Sequence, residues 1–550
     1  MIAKLLTGAG TAGTSLRVLA QAGVLRPYPP TTLLRLARIL RDWGTGPAGG
    51  FMSMAARSPA AVGVVDELGD LTWRELHRRS NALARALREQ GVGEGDAVAV
   101  MCRNHRFFLD ATCAGAKLGA DVLYLNTAFA GPQLVEVLER DRPAVVVHDQ
   151  EFGPLLADTA DVPRIVAWVD DDRDLPVGTR TLEQLVAGHD DADLDPPGRH
   201  GRTVILTSGT TGTPKGAPRS EAGIDAAVAL LSAIPLRHGW RTHVAAPLFH
   251  TWGFAHMALA MLLGSTLVLR RRFDPEDTLR TIADEGCQSV VVIPVMLQRI
   301  LALPVDVLEA HDLSHVEVVA SSGSALPGDL ALTWMDRFGD HLYSTYGSTE
   351  VAYAAVAGPA DLREAPSTAG RAPYATVLKV LDEAGDEVAA GRSGRIFVGN
   401  GMLFEGYTGG GSKEVVDGLM CTGDVGRLGE DGRLYVEGRD DDMIVSGGEN
   451  VFPQEVEDCI ARHDDVVEVA AVGVDDDDFG KRLRAFVVVR AGAELDQDGV
   501  QTWVKQQLAR YKVPRDVVFL DELPRNATGK VLKRELTSAD RHDQKQDEDA

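Results

Sequence analysis

The chain has 550 residues, 45% hydrophobic and 25% charged, proportions of an ordinary globular protein that exclude a disordered chain, a collagen and a multi-span membrane protein. Lys and Arg number 56 against 80 Asp and Glu, a net charge of −24, which excludes a general nucleic-acid binder because phosphates would be repelled. The length predicts three or four folding units at roughly 100–200 residues each. Five scattered cysteines, Cys102, Cys113, Cys287, Cys421 and Cys459, lack CxxC spacing and read as free thiols of a reducing compartment.

Charge is uneven from the start. Residues 1–50 hold six basic side chains and one acid, a net of +5 against −29 for the remainder. GAGTAG at 8–13 matches a dinucleotide fingerprint, but no strand precedes it and no acid follows at the required spacing, so it is a decoy. Residues 31–43 predict an amphipathic helix with Leu33, Leu36, Ile39, Leu40 and Trp43 on one arc and Arg35, Arg38 and Arg41 on the opposite one, Leu34 being the exception. It is expected to dock on the body, with peripheral membrane contact through residues 1–45 as the sharper reading.

From about residue 60 the pattern is α/β. Thr72 and Glu75 predict a capping box opening a helix that runs to Gly91. Strand-like runs follow at 97–101, 144–148, 203–207, 289–293 and 316–320, mostly with helical stretches between them, which favours parallel sheets covered by helices. The apolar run 255–269 is broken by Gly264, Ser265 and Thr266, too short to span a bilayer, and no secretory signal opens the chain. After residue 390 the texture turns to short strands at 395–399 and 433–438, with Asp431-Gly432 as a hairpin turn. Residues 439–450 are charged and Gly-rich and read as a linker. A compact α+β segment, 451–536, follows. DDDD at 475–478 is expected to be a solvated acidic turn, and the tail 537–550 to be disordered.

The strongest local feature is TVILTSGTTGTPKGA at 203–217. A buried strand runs into a loop where Gly209 and Gly212 free the backbone to turn its N–H groups towards a polyphosphate. Thr207, Ser208, Thr210 and Thr211 add hydroxyls, and Lys215 adds positive charge. The string is not a Walker A loop, which needs Lys-Ser/Thr after its second Gly, so a P-loop kinase or ATPase is excluded.

The string TSGTTGTPKGA resembles the phosphate loop of the adenylate-forming enzymes: acyl- and aryl-CoA synthetases, peptide-synthetase adenylation domains and luciferases. Six further signatures occur in the family's order: PLFHTWGF (247–254), SSGSALP (321–327), YGSTE (346–350), CTGD (421–424), GRDDDMIVSGGEN (438–450) and PRNATGK (524–530). The resemblance spans roughly residues 55–536 and is strongest to bacterial fatty-acyl-CoA synthetases. It implies an α/β fold with a large multi-subdomain N-terminal domain, helix-covered sheets plus a small β-barrel-like part, and a small mobile α+β C-terminal domain. The expected division is a basic extension at 1–50, the large domain at 51–440 and the mobile domain at 441–536.

The resemblance also assigns roles. Tyr346-Gly347 and the Gly323-Ser324-Ala325 turn would lie beside adenine. Thr349 would add a hydroxyl, and Glu350 a hard oxygen for Mg²⁺. Asp424 would accept the ribose hydroxyls, with Arg439 as a second nucleotide contact. Lys530 would bridge the substrate carboxylate and the α-phosphate, where an ammonium offsets the repulsion between anions. His250 would flank the carboxylate, with Trp252, Gly253 and Phe254 at the mouth of an apolar tunnel. No Asp stands just after that motif to hold an amino group, which argues against amino-acid adenylation. Asp441 sits at the hinge position, and Ser446, Gly447 and Gly448 would admit the pantetheine of coenzyme A.

The implied activity is ATP- and Mg²⁺-dependent conversion of a carboxylic acid to acyl-adenylate, then to acyl-CoA. A medium- or long-chain fatty acid is the expected substrate. The alternatives are an aryl- or short-chain-acid CoA ligase, an acyl-AMP ligase serving a carrier protein, and a non-catalytic acyl- and nucleotide-binding protein. No carrier domain follows Lys530, so CoA is the expected acceptor. The expected location is the cytoplasm, with residues 1–45 at the inner membrane face as its peripheral variant, and a homodimer is left open.

Overall fold

The computed structural model describes residues 13–538 apart from 130, 158, 160–161, 208–214, 220–223, 409, 441–443, 447–448, 452, 477–479, 509–511 and 527–528. The α/β alternation resolves into two sheets. The first has eight strands in the spatial order 355–357, 342–346, 318–321, 289–292, 241–244, 266–268, 62–66 and 69–72. Its six middle strands run parallel, and an antiparallel strand closes each edge. The second has six strands in the order 164–166, 145–148, 97–101, 121–124, 203–207 and 215–219, parallel except for the last. Strands such as Val145–His148 and Ser289–Val292 are buried at every residue. That is why they read as unbroken apolar runs and not as alternating ones.

Helices fill the spaces between strands. Trp73–Glu89 opens on the predicted capping box, with the Thr72 hydroxyl accepting from the Glu75 N–H and Glu75 accepting from the Thr72 N–H. The apolar run near 255–269 divides into a helix, Thr251–Leu263, and a strand, Thr266–Val268. Gly264 turns between them at φ +65°, the left-handed cap that glycine adopts without strain. Among the described residues, no helix is long and apolar enough to cross a membrane.

The β-barrel-like part is a five-stranded antiparallel sheet, with Val377–Leu381, Gly394–Gly399, Leu419–Leu428 and Val415–Val416 in order and Leu434–Arg439 paired to Leu419–Leu428. The expected hairpin turn at Asp431-Gly432 joins the last pair, with Gly432 at φ +78°. A third body, built on Ile444–Ser446, Glu449–Val451, Val466–Asp476, Gly480–Val489 and Asp516–Phe519, carries the helices Pro453–Ala461 and Gln497–Gln507. All five cysteines are buried and free.

Three expectations need correction. The leucine face of Pro30–Trp43 is only partly docked: Ile39 and Trp43 are buried, whereas Leu33 and Leu40 are about half exposed. The acidic run at 475–478 is not a wholly solvated turn. The strand Val466–Asp476 extends into it, and the Asp476 carboxylate is 8% exposed between Arg482 and Arg515 at 3.5 Å each. The C-terminal tail begins inside the helix Lys533–Ser538.

Candidate active site

In parallel α/β sheets the loops leaving the carboxyl ends of adjacent strands form the natural crevice for a ligand. Four neighbouring strands of the eight-stranded sheet deliver candidate residues there. Arg241–Val244 leads into 247–254, Ser289–Val292 into Ile293–Val295, Val318–Ser321 into 322–327, and Leu342–Tyr346 into 347–350. Motifs up to about 100 residues apart in sequence therefore share one sheet edge.

Glycines allow these loops to pack closely. A Cβ at Gly347 would stand 2.3 Å from the Ala352 carbonyl oxygen, and one at Gly253 would stand 2.3 Å from that of Pro247. Gly323 adopts φ +98°, and the neighbouring Ser322 hydroxyl donates to the Thr345 carbonyl at 2.8 Å. Ser324 and Ala325 beside it are exposed.

The antiparallel sheet supplies the next wall. Asp424 and Arg439 face each other as register partners, with Arg439 Nη1 3.5 Å from Asp424 Oδ1. The Tyr346 hydroxyl donates to Asp424 Oδ2 at 2.5 Å. Burial pushes the Asp424 carboxyl up, against the pull of Tyr346, Arg439, Lys530 and Lys413. Burial beside Asp424 also pushes the Tyr346 hydroxyl well up, so it is a firm donor at neutral pH. The result is a desolvated carboxylate flanked by cations, able to accept further hydroxyl groups.

The turn bearing Lys530 closes the site from the C-terminal body. Gly529 at φ +76° presses on the large body, where a Cβ would meet Val295 Cγ1 at 2.4 Å and Ile293 Cδ1 at 3.0 Å. Asn526 holds the turn: its Oδ1 accepts the Lys530 N–H at 2.9 Å, and its N–H donates to the Lys530 carbonyl at 2.9 Å. Lys530 itself is exposed, and its ammonium is among the charges felt by Asp424.

Thr207 and Lys215 are partners at the tip of the hairpin Thr203–Thr207 and Lys215–Arg219. The loop between them, with Ser208, Gly209, Thr210, Thr211 and Gly212, lies outside the described residues. So do Asp441, Gly447 and Gly448, and Ser446 is placed as backbone only, at the end of Ile444–Ser446.

Sequence reading missed the segment that ties Lys215 to Glu350. Tyr407 Oη donates to Glu350 Oε1 at 2.7 Å, and Lys215 Nζ stands 5.3 Å from the centroid of the same ring. Thr408 clamps Gly216, its Oγ1 accepting the Gly216 N–H at 2.9 Å and its N–H donating to the Gly216 carbonyl at 2.8 Å. The Phe404 N–H donates to the Glu350 carbonyl at 2.8 Å. The available signal was Gly406-Tyr407-Thr408 before Gly409, Gly410 and Gly411, an aromatic and a hydroxyl on a turn-forming run. The paired Glu350 oxygen leaves the other as a hard ligand, with Thr349 adjacent, a donor set that suits Mg²⁺.

His250 opens the helix Thr251–Leu263 as its N-cap residue, without a side-chain cap bond. Its Nε2 is buried and unpartnered, and burial lowers its pKa to about 4. It is a neutral imidazole at physiological pH. Trp252 and His256 pack edge to face at 4.4 Å, and Phe254 stands 5.3 Å from Tyr124.

Among the described residues one compact group could suggest a separate metal centre: Cys102, His105 and Asp149, all buried. His105 Nδ1 accepts the Phe107 N–H at 3.2 Å and Nε2 faces Asp149 Oδ1 at 2.9 Å. Both ring nitrogens are thus committed to capping a helix and holding a carboxylate.

Residues 51–408 match the AMP-binding enzyme family, and residues 455–530 match its C-terminal domain. The chain belongs to the AMP-binding enzyme family. This AMP-binding enzyme is 34% identical over 495 residues to a feruloyl-CoA synthase of an Amycolatopsis species, covering 88% of this chain and 96% of that one. It is also 34% identical over 476 residues to an indoleacetate–CoA ligase of Aromatoleum aromaticum, covering 85% and 92%. Among solved structures, an ATP-bound MatB of Rhodopseudomonas palustris superposes with a TM-score of 0.79 at 28% identity, covering 90% of this chain and 98% of that one. The activity is therefore that of an AMP-forming acid–CoA ligase, with ATP and CoA as co-substrates and Mg²⁺ as cofactor.

Proposed function

We propose that this enzyme activates a medium- or long-chain fatty acid and transfers it to CoA. In the first half-reaction the carboxylate oxygen attacks the α-phosphorus of ATP, forming the acyl-adenylate as the bond to pyrophosphate breaks. In the second, the CoA sulfur attacks the acyl carbon, the thiol proton leaves to solvent, and AMP departs. The site observation that carries this reading is the Lys530 turn seated on Ile293 and Val295, within electrostatic reach of Asp424. That is the arrangement the first half-reaction needs, because an ammonium there offsets the charge of an incoming carboxylate and of the α-phosphate.

The family resemblance supplies the remaining roles. Tyr346, Gly347, Gly323, Ser324 and Ala325 border adenine, Asp424 accepts the ribose hydroxyls, and Arg439 adds a second contact. Thr207–Gly212 and Lys215 hold the phosphates, and Glu350 with Thr349 would hold Mg²⁺, which supplies positive charge to the phosphates when bound. Asp441 is the pivot on which Ser446, Gly447 and Gly448 replace Lys530 for CoA.

The aliphatic preference rests on the helix Thr251–Leu263, whose buried residues include Met257, Leu259, Ala260, Met261 and Leu263 and no acid. An aromatic acid is the second reading. It is favoured by the rings of Phe249, His250, Trp252 and His256 at the helix start and by the two relatives whose names specify aromatic acids. Pyrophosphate release measured across straight-chain acids from acetate upward, benzoates and cinnamates, with and without CoA, separates them. Turnover rising with chain length supports the first reading, whereas turnover confined to ring acids replaces it with the second. Adenylate that accumulates with CoA present would point to a carrier-protein acceptor. No turnover with any acid would leave only a binding protein.

A further inference from the structure

The helix Pro30–Trp43 stands outside the ligase site. Ile39 and Trp43, each 6% exposed, seat one edge of it with Ala48 against Met52, Ala56, Ala116 and Leu194. The other side stays in solvent, with Leu33 50%, Leu34 73% and Leu40 47% exposed. Residues 13–45 also expose Leu16 and Leu25, so this short stretch holds five of the thirteen large apolar side chains that the described residues leave open. Single exposed leucines need no explanation, but a concentration of them on one element does.

Arginines border the same open face. At about 100° per residue, Leu40, Leu33 and Leu34 span about 120°, with Arg41 inside that arc and Arg38 about 40° past Leu34, whereas Arg35 lies about 100° past Leu34 on the docked side, within electrostatic reach of His77 and Asp193. All three arginines are exposed, and Arg41 also pairs with Asp42. They lie in the segment of net +5, ahead of 500 residues of net −29. A strongly anionic surface would repel the body of the enzyme and attract this segment, which fixes its orientation.

We propose that the helix Pro30–Trp43 rests in the plane of an anionic lipid bilayer. Leu33, Leu34 and Leu40 enter the acyl boundary, and Arg38 and Arg41 meet the lipid phosphates. A helix of 14 residues is about 21 Å long, too short to span the hydrocarbon core, and its paired leucine and arginine faces suit the interface. Three leucines give reversible, salt-sensitive association and not an anchor. The proposal is independent of which acid the site accepts.

The test is flotation of the full chain with vesicles of phosphatidylcholine, with and without phosphatidylglycerol. The enzyme is expected to float with the anionic vesicles only, and less as salt rises. Leu33→Ser, Leu34→Ser and Leu40→Ser together should weaken binding at least about tenfold. Arg38→Gln and Arg41→Gln together should weaken it about 25-fold, at about fivefold for each arginine near the surface. Both variants should retain acyl-CoA formation from a water-soluble acid, because none of these side chains borders the site. Equal flotation with neutral vesicles, no flotation, or leucine and arginine variants that bind like the parent would each overturn the proposal. A parent dimer that the leucine variant converts to monomer, without vesicle binding, would assign the face to a second copy of the chain.

Discussion

Replacing Gly529 by alanine should disable the first half-reaction while leaving the protein folded. Gly529 adopts φ +76°, and a Cβ there meets Val295 Cγ1 at 2.4 Å and Ile293 Cδ1 at 3.0 Å. The left-handed backbone costs an alanine about 1–2 kcal/mol, and the clash adds about 1–2 kcal/mol unless the turn lifts off. Only the docked arrangement pays this second cost, so the Lys530 turn should leave the large body by a factor of roughly 5 to 30. Acid-dependent ATP–pyrophosphate exchange reads the docked state, and conversion of synthetic acyl-adenylate by CoA reads the other half-reaction. Exchange should fall by that factor, with thioester formation within about threefold of the parent and the melting temperature little changed. Exchange at the parental rate, or equal loss in both assays, would refute the docking argument.

Other outcomes follow from the same geometry. Tyr346→Phe removes the hydroxyl donated to Asp424 and should raise the KM for ATP by about tenfold or more, a charge-assisted bond being worth roughly 1.5–3 kcal/mol; a KM unchanged in steady-state kinetics would detach Tyr346 from the nucleotide. If Asp441 is the proposed pivot, Asp441→Pro should impair thioester formation more than pyrophosphate exchange; equal loss would count against a hinge. Burial lowers His243 and His250 to about 4 and His256 to about 3, below the usual histidine value. Folded, these rings stay neutral while the unfolded chain takes up protons, so stability is retained above about pH 6.5 and lost as pH falls through that value towards 4. At pH 5 each contributes a loss of up to about 2 kcal/mol. Thermal melts should fall clearly between pH 7 and pH 5, and His250→Gln should reduce that slope.

The sheet strands were legible because complete burial on both faces leaves short apolar runs between turn signals, as at Val145–His148 and Ser289–Val292. The site motifs were legible because polyphosphate, ribose and carboxylate each demand particular residue types in short spans. Contacts made across the fold were not. Tyr407 meets Glu350 and Lys215 only after separate sheets come together, and nothing near it in sequence names either partner. The exposed half of Pro30–Trp43 was misread for a similar reason. Periodicity defines an apolar arc, but the body offers a seat only to Ile39 and Trp43. Asp476 looked solvated as one of four acids, yet Arg482 and Arg515 arrive from 6 and 39 residues away to enclose it.

Lys530→Ala separates the two half-reactions, with ATP–pyrophosphate exchange and thioester formation from synthetic acyl-adenylate measured on one preparation. Acid-dependent exchange is expected in the parent, with loss of about 100-fold or more in the variant and thioester formation close to parental. Exchange that survives the substitution, or a parent that releases ADP and phosphate instead of AMP and pyrophosphate, would contradict that expectation.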